Sequence, residues 1–471
     1  MLIMAYELLS NETEMQIHIK KTKKEKMNRI ISSIILIMLP LGLIAVEDPE
    51  KPEVRPFQLS LVPFIGTEGE EAQEHIYKVS LNIFAGLTGG VEGIEIGGFL
   101  NMNRFTMNGL QAAGFGNTVA GRVEGMQFAG FFNANNSSTR GFQGAGFVNL
   151  VNDDANAVQG SGFANIVNGN VRGIQGTGFA NIVNGDIRGV QAAGFANIAS
   201  GEGRLVQAAG FANISGGSIQ GVQAAGFGNI AEQAKGVQAA AFGNIAGQAE
   251  GVQASSFMNI AREMEGIQAS GFLNVAGDIE GVQAAGFINI ASNVQGLQVG
   301  FINIADTVVG LPLGFLSIVR DGYRKFELSA GDAMNLNLGF KIGVRHFYNM
   351  FTTGLQFTSD DPVFTYGYGI GTELNLPERR YLNIEILTHQ MMKGRWWDYT
   401  DLNLLGQLRV TYAMDLSDRW QFFAGPVANI HISRANDNET VDIAPYEMFR
   451  FTGRNTENVV WIGINAGFRI W

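Results

Sequence analysis

Histidine is the side chain most often used for general acid–base chemistry and metal binding near neutral pH, and the chain contains five of them. None lies in an HExxH segment, and no GxSxG turn is present to hold a nucleophilic serine. His389 and His431 fall on segments of alternating polarity and have no matched Asp or Ser partner. We therefore predict that the protein is not an enzyme; an outer-membrane enzyme with a rim histidine is the alternative. The five histidines are His18, His75, His346, His389 and His431.

Composition removes several other kinds of site. The chain of 471 residues has no cysteine, which excludes disulfides, thiol chemistry, Cys-type metal centres and a lipidated N-terminal cysteine. The pairs Asp153–Asp154 and Asp360–Asp361 offer calcium ligands, but acidic pairs in turns are usually solvated. The G-x-G matches are repeat glycines, because no helical segment follows them. We predict no cofactor and no metal, and the net charge of −11 argues against a nucleic-acid partner.

Glutamine is the most regular polar feature of the chain. The step is 16 residues from Gln111 to Gln223 and 15 residues from there to Gln298. Glu95 stands one step earlier, which makes fourteen units of the form G-[VIL]-Q-x-[AS]-G-F-x-N-[IV]-A. This column is either an internal ladder or an exposed array that contacts glycan or another surface, and spacing alone leaves both open. The possible binding ladder comprises Gln191, Gln207, Gln223, Gln238, Gln253, Gln268 and Gln283.

Phenylalanine and asparagine repeat in step with glutamine, and charged residues cluster between the motifs. Units this small bury a core only when they stack, so the pattern predicts a β-solenoid with an internal aromatic ladder and an amide ladder. Loss of one residue at a corner accommodates the change of step from 16 to 15. The structural ladders include Phe195, Phe211, Phe227, Phe242 and Phe257 and also Asn197, Asn213, Asn229, Asn244 and Asn259.

A membrane barrel with one strand per repeat is the rival interpretation, because a segment such as Ile219 to Ile230 is long enough to cross a membrane. Two observations oppose it. No Trp or Tyr occurs between Lys78 and Gly322, although membrane barrels carry aromatic girdles, and successive linkers do not alternate between long and short.

The repeats resemble a bacterial surface-repeat family of leptospiral type, whose units have the same GVQxAGFxNIA form. The resemblance covers roughly Val91 to Ile318, about half of the chain. It implies an exported, surface-associated protein of a bacterium with two membranes, and it supplies no catalytic residue. Some relatives are lipoproteins; this chain, which lacks cysteine, needs another attachment.

The N-terminus predicts export. A basic cluster at Lys20–Arg29 precedes the apolar run Ile30–Ala45, which Pro40 interrupts and which is too short for a membrane span. We predict a signal peptide cleaved near Ala45, with Met27 as the possible true start.

Beyond Tyr323 the composition changes, since all five Trp lie there. Segments of 10–14 residues alternate, for example Leu336, Leu338 and Phe340 against Asn337 and Lys341. Such strands predict a small antiparallel, transmembrane β-barrel of eight to ten strands, and a soluble antiparallel barrel is the alternative. Eight strands follow the repeats, and Phe57–Gly66 and Tyr77–Gly86 are candidates for two more.

The sequence therefore predicts an all-β protein: a β-solenoid of about fourteen repeats plus a C-terminal antiparallel β-barrel. Its predicted divisions are an N-terminal extension with the signal peptide (1–46), a linker with one or two strands (47–90), the solenoid (91–318) and the barrel strands (319–471).

We predict a surface repeat protein of the outer membrane with a structural or binding, adhesin-like role. Its partners would be outer-membrane lipid and a glycan, host or neighbouring-cell surface. The alternative is a small pore or transporter whose repeats act as a plug or periplasmic extension. The sequence indicates no oligomeric state.

Overall fold

The computed structural model describes residues 52–357, 362–393, 403–434, 443–453 and 456–470. The predicted signal peptide lies outside the described residues, as do Asp360–Asp361. The chain divides into two units, Met1–Ala254 and Ser255–Trp471, with the boundary inside the repeats. Strands dominate the described residues, which confirms the predicted all-β class. Among these residues, no helix is long and apolar enough to cross a bilayer.

The first unit consists of coils that each contain a longer and a shorter strand. A short 3-10 helix, Gly69–Glu74, lies between the second and third strands. The strands are β1 (Val54–Val62), β2 (Ile65–Gly66), β3 (Ile76–Asn82), β4 (Ala85–Thr88), β5 (Gly90–Gly97), β6 (Leu100–Asn103), β7 (Met107–Ala113), β8 (Gly116–Val119), β9 (Val123–Ala129), β10 (Phe132–Asn135), β11 (Thr139–Ala145), β12 (Val148–Val151), β13 (Ala155–Ser161), β14 (Ala164–Val167), β15 (Val171–Thr177), β16 (Ala180–Val183), β17 (Ile187–Ala193), β18 (Ala196–Ala199), β19 (Gly203–Ala209), β20 (Ala212–Ser215), β21 (Ser218–Ala225), β22 (Gly228–Ala240) and β23 (Gly243–Ser255).

Strands of the same kind in successive coils pair in parallel. Thus β15 pairs with β17, which aligns Gln175 with Gln191, and β16 pairs with β18, which aligns Asn181 with Asn197. Parallel pairing at one repeat per step defines a solenoid, because consecutive strands of a membrane barrel are antiparallel. The predicted solenoid is confirmed, with about 15 turns, and the rival interpretation of the repeats as barrel strands is wrong.

The change of repeat length alters one corner of the coil. Where the step falls to 15, the shorter strand of one coil and the longer strand of the next join into one continuous strand. The first of these, β22, pairs with β20 through Gly228 and with β21 through Ala234. The glutamine alignment persists, since Gln223 faces Gln238. The deletion removes the linker turn and leaves the neighbouring columns in register.

One glycine column marks the closest approach of successive longer strands. Gly173 has φ of 143°, and a Cβ there would lie 2.1 Å from the carbonyl oxygen of Ala157 in the preceding coil. Positive φ and this contact both require the absence of a side chain. Gly176 lies in the same strand with nothing within 4 Å of its Cβ position. The third residue of the longer strand is therefore glycine for a steric reason that does not apply to the sixth.

The strands that precede the recognisable repeats also belong to the solenoid. β1 pairs in parallel with β3, which places Gln58 opposite Ser80, and β3 pairs in parallel with β5, which places Ser80 opposite Glu95. The interpretation of Phe57–Gly66 and Tyr77–Gly86 as possible barrel strands is therefore wrong. Their alternating polarity reflects the two sides of a solenoid wall rather than those of a barrel.

The second unit contains further coils and then an antiparallel barrel. The coil strands are β24 (Met258–Ser270), β25 (Leu273–Ala285), β26 (Ile288–Val299), β27 (Ile302–Leu313) and β28 (Leu316–Val319). The remaining strands are β29 (Tyr323–Gly331), β30 (Leu336–Val344), β31 (Phe347–Gln356), β32 (Val363–Leu376), β33 (Arg380–Lys393), β34 (Asn403–Asp415), β35 (Trp420–Arg434), β36 (Phe449–Thr452) and β37 (Thr456–Ile470).

Eight of these strands form a closed barrel, as predicted. Consecutive strands from β29 to β35 pair antiparallel, β35 pairs with β37, and β37 returns to pair with β29. β36 is a short additional strand on β37 that the sequence analysis did not anticipate. The predicted alternation is present, because Leu338 faces outward while Asn337 and Lys341 are buried inside.

Within the second unit, the last coil contacts the outer wall of the barrel. The amide of Ser317 donates to Oδ1 of Asn349 over 2.8 Å, and Nδ2 of Asn349 donates to the carbonyl of Gly314 over 2.8 Å. Phe315 stacks on Tyr368 with ring centroids 4.7 Å apart. Asn349 and Tyr368 lie on barrel strands β31 and β32, so the coil is fixed to the wall by polar and aromatic contacts.

Candidate functional site

The glutamine column lies inside the solenoid and forms a continuous amide ladder. Gln191 is 0% exposed. Its Nε2 donates to Oε1 of Gln175 over 2.7 Å, and its Oε1 accepts from Nε2 of Gln207 over 2.9 Å. The other members of the possible binding ladder are equally buried. The interpretation of the column as an exposed array that contacts glycan is therefore wrong, because the glutamine side chains are buried and hydrogen-bond to one another inside the coil.

The asparagine column forms a second ladder that runs in the opposite direction. Nδ2 of Asn197 donates forward to Oδ1 of Asn213 over 2.9 Å, whereas glutamine amides donate backward. The same Nδ2 donates to the carbonyl of Ala208 over 2.8 Å and so ties the tight corner to the next coil. Two opposed rows of amide dipoles cancel along the solenoid, and every coil satisfies the polar groups of its neighbour.

Glu95 is the one ionisable member of the glutamine column. It is completely buried and accepts hydrogen bonds from Nε2 of Gln111 at 2.8 Å, Nδ2 of Asn82 at 3.0 Å and the hydroxyl of Ser80 at 3.2 Å. Burial raises the pKa of the Glu95 carboxyl, against the opposing effect of these donors. Glu95, at the start of the ladder, is therefore the only residue of the glutamine column that can change its charge with pH.

The phenylalanine ladder is present, but the prediction that it is internal is wrong. Phe195 follows the glycine of the tight corner and is 42% exposed. Its ring stacks on Phe179 at 4.9 Å and on Phe211 at 5.0 Å, with the ring planes within 2° of parallel. The interior of the coil is occupied instead by the glutamine and asparagine amides and by aliphatic side chains such as Ile187. The rings are therefore displaced to the outside of the corner and stack there.

The stacked rings are the centre of a wider apolar surface, which we call the apolar edge. In one coil it comprises Val190, Ala192, Phe195 and Ile198, and the equivalent positions of the other coils continue it. Val190 is 39% exposed, and its equivalents Ile174 and Val206 are more exposed. The interior of the solenoid thus contains amide columns beside aliphatic side chains such as Ile187 and Val171, and its outer edge carries a continuous strip of aliphatic and aromatic side chains that a water-soluble protein seldom exposes.

Arginines border the apolar edge on the longer strand. Arg188 lies two residues before Val190, on the same side of the strand. Parallel pairing sets it directly between Arg172 and Arg204. Arg140 occupies the same column two coils before Arg172, with Asn156 between them, and Glu124 holds the equivalent position in the coil before Arg140. We call these four residues the arginine column. Within the described part of the chain none of the four forms a salt bridge within 4.0 Å.

The lumen of the barrel is filled by an ionic network at the end where β29 begins and β37 finishes. Glu327 accepts from Nζ of Lys341 at 2.8 Å, from Nε of Arg469 at 2.8 Å and from Nη1 of Arg409 at 3.4 Å. Glu385 pairs with Lys341 and accepts from the hydroxyl of Tyr348 at 2.7 Å. All these side chains are at most 2% exposed, so they close the lumen by mutual ion pairing.

A second pair extends the network, and an apolar cluster occupies the opposite end of the barrel. Lys325 lies 3.3 Å from Oε2 of Glu373, which also accepts from the hydroxyl of Tyr323 at 2.7 Å. The apolar cluster comprises Ala333, Met334, Val363, Met391, Leu405, Ile443, Val459 and Trp461. The described part of the barrel is therefore filled by charge at one end and by hydrocarbon at the other.

Of the five histidines, His18 lies outside the described residues, and the other four are distributed over the first coils and the barrel. His389 is buried in the lumen, and neither of its ring nitrogens has a hydrogen-bond partner among the described residues. His431 is buried on β35, and His346 is exposed in the turn between β30 and β31. His75 lies near Glu68 and Glu71, whose ligand atoms fall within 4.8 Å of one another, but Glu68 is already paired with Arg55.

The acidic pair in the repeats is part of a corner ladder. Oδ1 of Asp154 accepts from the backbone amide of Asn170 over 2.7 Å, and Oδ1 of Asp186 accepts from the amide of Glu202 over 2.9 Å. These carboxylates satisfy the backbone of the next coil. They sit at the linker corner, on the side of the arginine column away from the apolar edge.

Two features of this site escaped the sequence analysis. The ionic network depends on which strands are neighbours, and its sequence signal was the alternation that places Lys341 on the polar face of its strand, without any indication of its partners. The arginine column was visible as a step of 16 residues between Arg172, Arg188 and Arg204, but charges were assigned to the linkers as a group.

No family model, no curated protein and no solved structure matches this chain. The likeness of the repeats to the leptospiral surface-repeat family therefore stays a prediction. The function has to be argued from the two surfaces and the lumen described above.

Proposed function

We propose that the protein is an outer-membrane repeat protein in which the barrel is a closed membrane anchor and the solenoid has a structural or binding role. The observation that carries this proposal is the inversion of the barrel, with charged residues inside and apolar residues outside. A chain with this arrangement needs a hydrocarbon solvent around its wall.

The outer wall of the barrel supports the anchor. Ile464 is 64% exposed, and Leu338, Ile386 and Phe326 are also more than half exposed. Trp420 and Tyr412 add exposed aromatic side chains near the end where β37 finishes. Aliphatic side chains with aromatic residues toward the rim are typical of strands that face lipid. A soluble barrel with this wall would expose a large apolar surface to water.

The filled lumen favours an anchor over a pore. The network around Glu327 blocks one end and the cluster around Trp461 blocks the other. An eight-stranded barrel is just wide enough for its interior side chains to fill it. We therefore place the transport role second, and we propose no catalytic step.

Connection lengths favour the periplasmic side for the solenoid. At the end where the coils join the barrel, strands are linked by the short segments 345–346, 377–379 and 416–419. At the other end, the segment 332–335 is also short, whereas the segments 357–362, 394–402 and 435–455 are longer. Bacterial outer-membrane barrels have short periplasmic turns and longer extracellular loops. Among the described residues no barrel strand precedes the first coil, and β29, which follows the last coil, begins at the short-turn end.

Accessibility to a membrane-impermeant maleimide tests this proposal directly, because the chain has no native cysteine. Ser200→Cys places a thiol on the exposed linker corner of the solenoid, and Thr452→Cys places one on exposed strand β36 at the long-loop end. We expect Thr452→Cys to react on intact cells and Ser200→Cys to react only after lysis.

The reverse result also has a clear meaning. Reaction of Ser200→Cys on intact cells, with Thr452→Cys protected, would overturn the periplasmic placement and favour the adhesin-like role. Reaction of neither variant on intact cells would count against the outer-membrane anchor, provided that both react after lysis.

A further inference from the structure

We propose that the apolar edge of the solenoid docks on an anionic phospholipid bilayer, with the arginine column contacting lipid phosphates. This inference rests on the proposed function, because it takes the barrel to be in a membrane, and it names the partner of the solenoid. The solenoid would then lie on the bilayer surface in the manner of an amphipathic element rather than extend freely from it.

The first support is the continuity of the apolar surface. In the first unit, phenylalanine rings stack without interruption from Phe84 to Phe242, at centroid spacings that include 4.6 Å between Phe99 and Phe115. Aliphatic columns flank the rings on both sides of the corner. Monomeric soluble proteins seldom expose contiguous apolar patches above a few hundred Å². An exposed apolar surface that continues from coil to coil in this way favours contact with a hydrophobic partner.

The second support comes from the second unit, where the apolar edge joins the barrel wall. Phe301 stacks on Phe315 at 5.1 Å, and Phe315 in turn stacks on Tyr368 of the wall at 4.7 Å. Phe351 of the wall meets Phe315 edge to face at 6.0 Å. The same row of rings is therefore solenoid surface at one end and barrel exterior at the other. Lipid that covers the wall would therefore also meet the stacked rings of the coils in the second unit.

The third support is charge. Arg172, Arg188 and Arg204 lie in three successive coils, and like charges directly opposite each other in a sheet are destabilising. The neighbouring carboxylates Asp154 and Asp186 accept hydrogen bonds from backbone amides of the next coil. An anionic surface would offset the repulsion, because arginine forms bidentate contacts with phosphate and its position beside an apolar strip matches a headgroup layer above acyl chains.

A second copy of the chain fits this surface less well. Two apolar edges packed face to face, with the solenoids antiparallel and the arginine-bearing coils in register, would bring two arginine columns together along their shared border. Like charges opposed across an interface cost several kcal/mol. A bilayer supplies opposite charge at that border.

Depth-dependent quenching in vesicles tests the inference with the full chain. Three variants place an environment-sensitive fluorophore on the apolar edge (Ala192→Cys), on the linker corner (Ser200→Cys) and on the barrel wall (Ile464→Cys). The vesicles contain phosphatidylethanolamine and phosphatidylglycerol with brominated acyl chains. We expect blue-shifted, quenched emission for Ala192→Cys and Ile464→Cys, and unquenched emission characteristic of water for Ser200→Cys.

The outcomes separate the two proposals. Quenching of Ile464→Cys without quenching of Ala192→Cys would overturn lipid docking and leave the anchor intact. An unquenched Ile464→Cys would remove the anchor and the docking together. A blue shift of Ala192→Cys without quenching, accompanied by cross-linking between chains, would show that a second copy covers the edge and would overturn the lipid assignment.

The charge requirement has its own test in the same vesicles. The triple variant Arg172→Gln, Arg188→Gln, Arg204→Gln should shift the equilibrium toward the undocked state by on the order of a hundredfold, since each basic residue near an anionic surface contributes about 1 kcal/mol. Arg122→Gln is the matched control, because Arg122 already pairs with Glu124 at 3.2 Å. Equal docking of the triple variant and the control, or of the natural chain on phosphatidylcholine and on anionic vesicles, would overturn the assignment of phosphate to the column.

Discussion

Glu327 and Arg469 face each other across the seam that closes the barrel, and Nε of Arg469 donates to Oε2 of Glu327 over 2.8 Å. One residue lies on the first barrel strand and the other on the last. The ion pair therefore links the ends of the barrel chain directly, and the same carboxylate also compensates Lys341.

Glu327→Gln should destabilise the barrel by about 3–5 kcal/mol, because it leaves buried cations with too little negative charge. The midpoint of urea unfolding of the detergent-solubilised chain, followed by tryptophan fluorescence, measures the loss. Glu378→Gln is the control: its side chain is 72% exposed in a turn and pairs with Arg380. That surface change should cost less than about 0.5 kcal/mol. Equal losses of unfolding free energy in the two variants would show that the buried network stabilises the barrel no more than a surface ion pair does.

Glu95→Gln should stabilise the first coils at neutral pH and flatten their pH dependence. Burial raises the pKa of Glu95 in the folded chain, so its contribution to stability is complete below the ordinary glutamate pKa and is lost as pH rises through the folded pKa. Glutamine keeps the ladder bond from Gln111, and its amide donates to the hydroxyl of Ser80, which itself donates to Gln58 over 2.6 Å. Asn82 loses its acceptor on residue 95 but keeps its hydrogen bond to Asn101 at 2.8 Å.

Pulse proteolysis in urea at several pH values measures this effect, with an expected gain on the order of 1 kcal/mol at neutral pH. Glu92→Gln on the exposed side of the same strand should leave the profile unchanged. A natural chain whose first coils gain stability as pH rises above the acidic range would contradict the prediction.

Two glycines of one strand should respond in opposite ways to alanine. Gly173→Ala forces a Cβ to within 2.1 Å of a backbone carbonyl at φ of 143°, so we expect a loss of several kcal/mol and local fraying of the coil. Gly176→Ala meets nothing within 4 Å and should be neutral or stabilising by about 0.5 kcal/mol. Hydrogen exchange of the amides in β15 and β17 reports both. Similar protection in the two variants would refute the steric argument.

In β19 the usual order of a buried aliphatic residue followed two positions later by glycine is reversed, since Gly203 comes first and Leu205 follows. A double-mutant cycle can measure how strongly these two positions depend on each other. Leu205 is buried at a position where the repeat has glycine, and a Cβ on Gly203 would lie 2.2 Å from its Cδ2. Leu205→Gly should cost about 2–4 kcal/mol through the cavity it leaves. Gly203→Ile alone should also destabilise, because the side chains overlap. The double variant restores the usual repeat and should recover most of the loss; an additive result would show that the two sites do not share one space.

Periodicity was enough to predict the solenoid, since Gln191 and Gln207 are one repeat apart and glutamine recurs at nearly the same spacing in the other units. It was not enough to decide which residues face inward. Phe195 is large and apolar, and hydrophobicity alone assigns it to a core. In the structure the amides of Gln191 and Asn197 occupy the interior of this coil, and Phe195 lies on its outside. Likewise, alternation predicted that Lys341 and Arg469 point into the barrel. Their common partner Glu327 emerged only when the strand register was known, because the pairing joins residues far apart in the chain.

The amide ladders connect each coil only to the coils directly above and below it. Gln191, for example, bonds to Gln175 and Gln207 and to no more distant repeat. Unequal recombination between repeats in the gene would therefore insert or delete whole coils while every remaining contact is preserved. We therefore expect the number of coils to be able to change by whole repeats without altering the barrel that follows them.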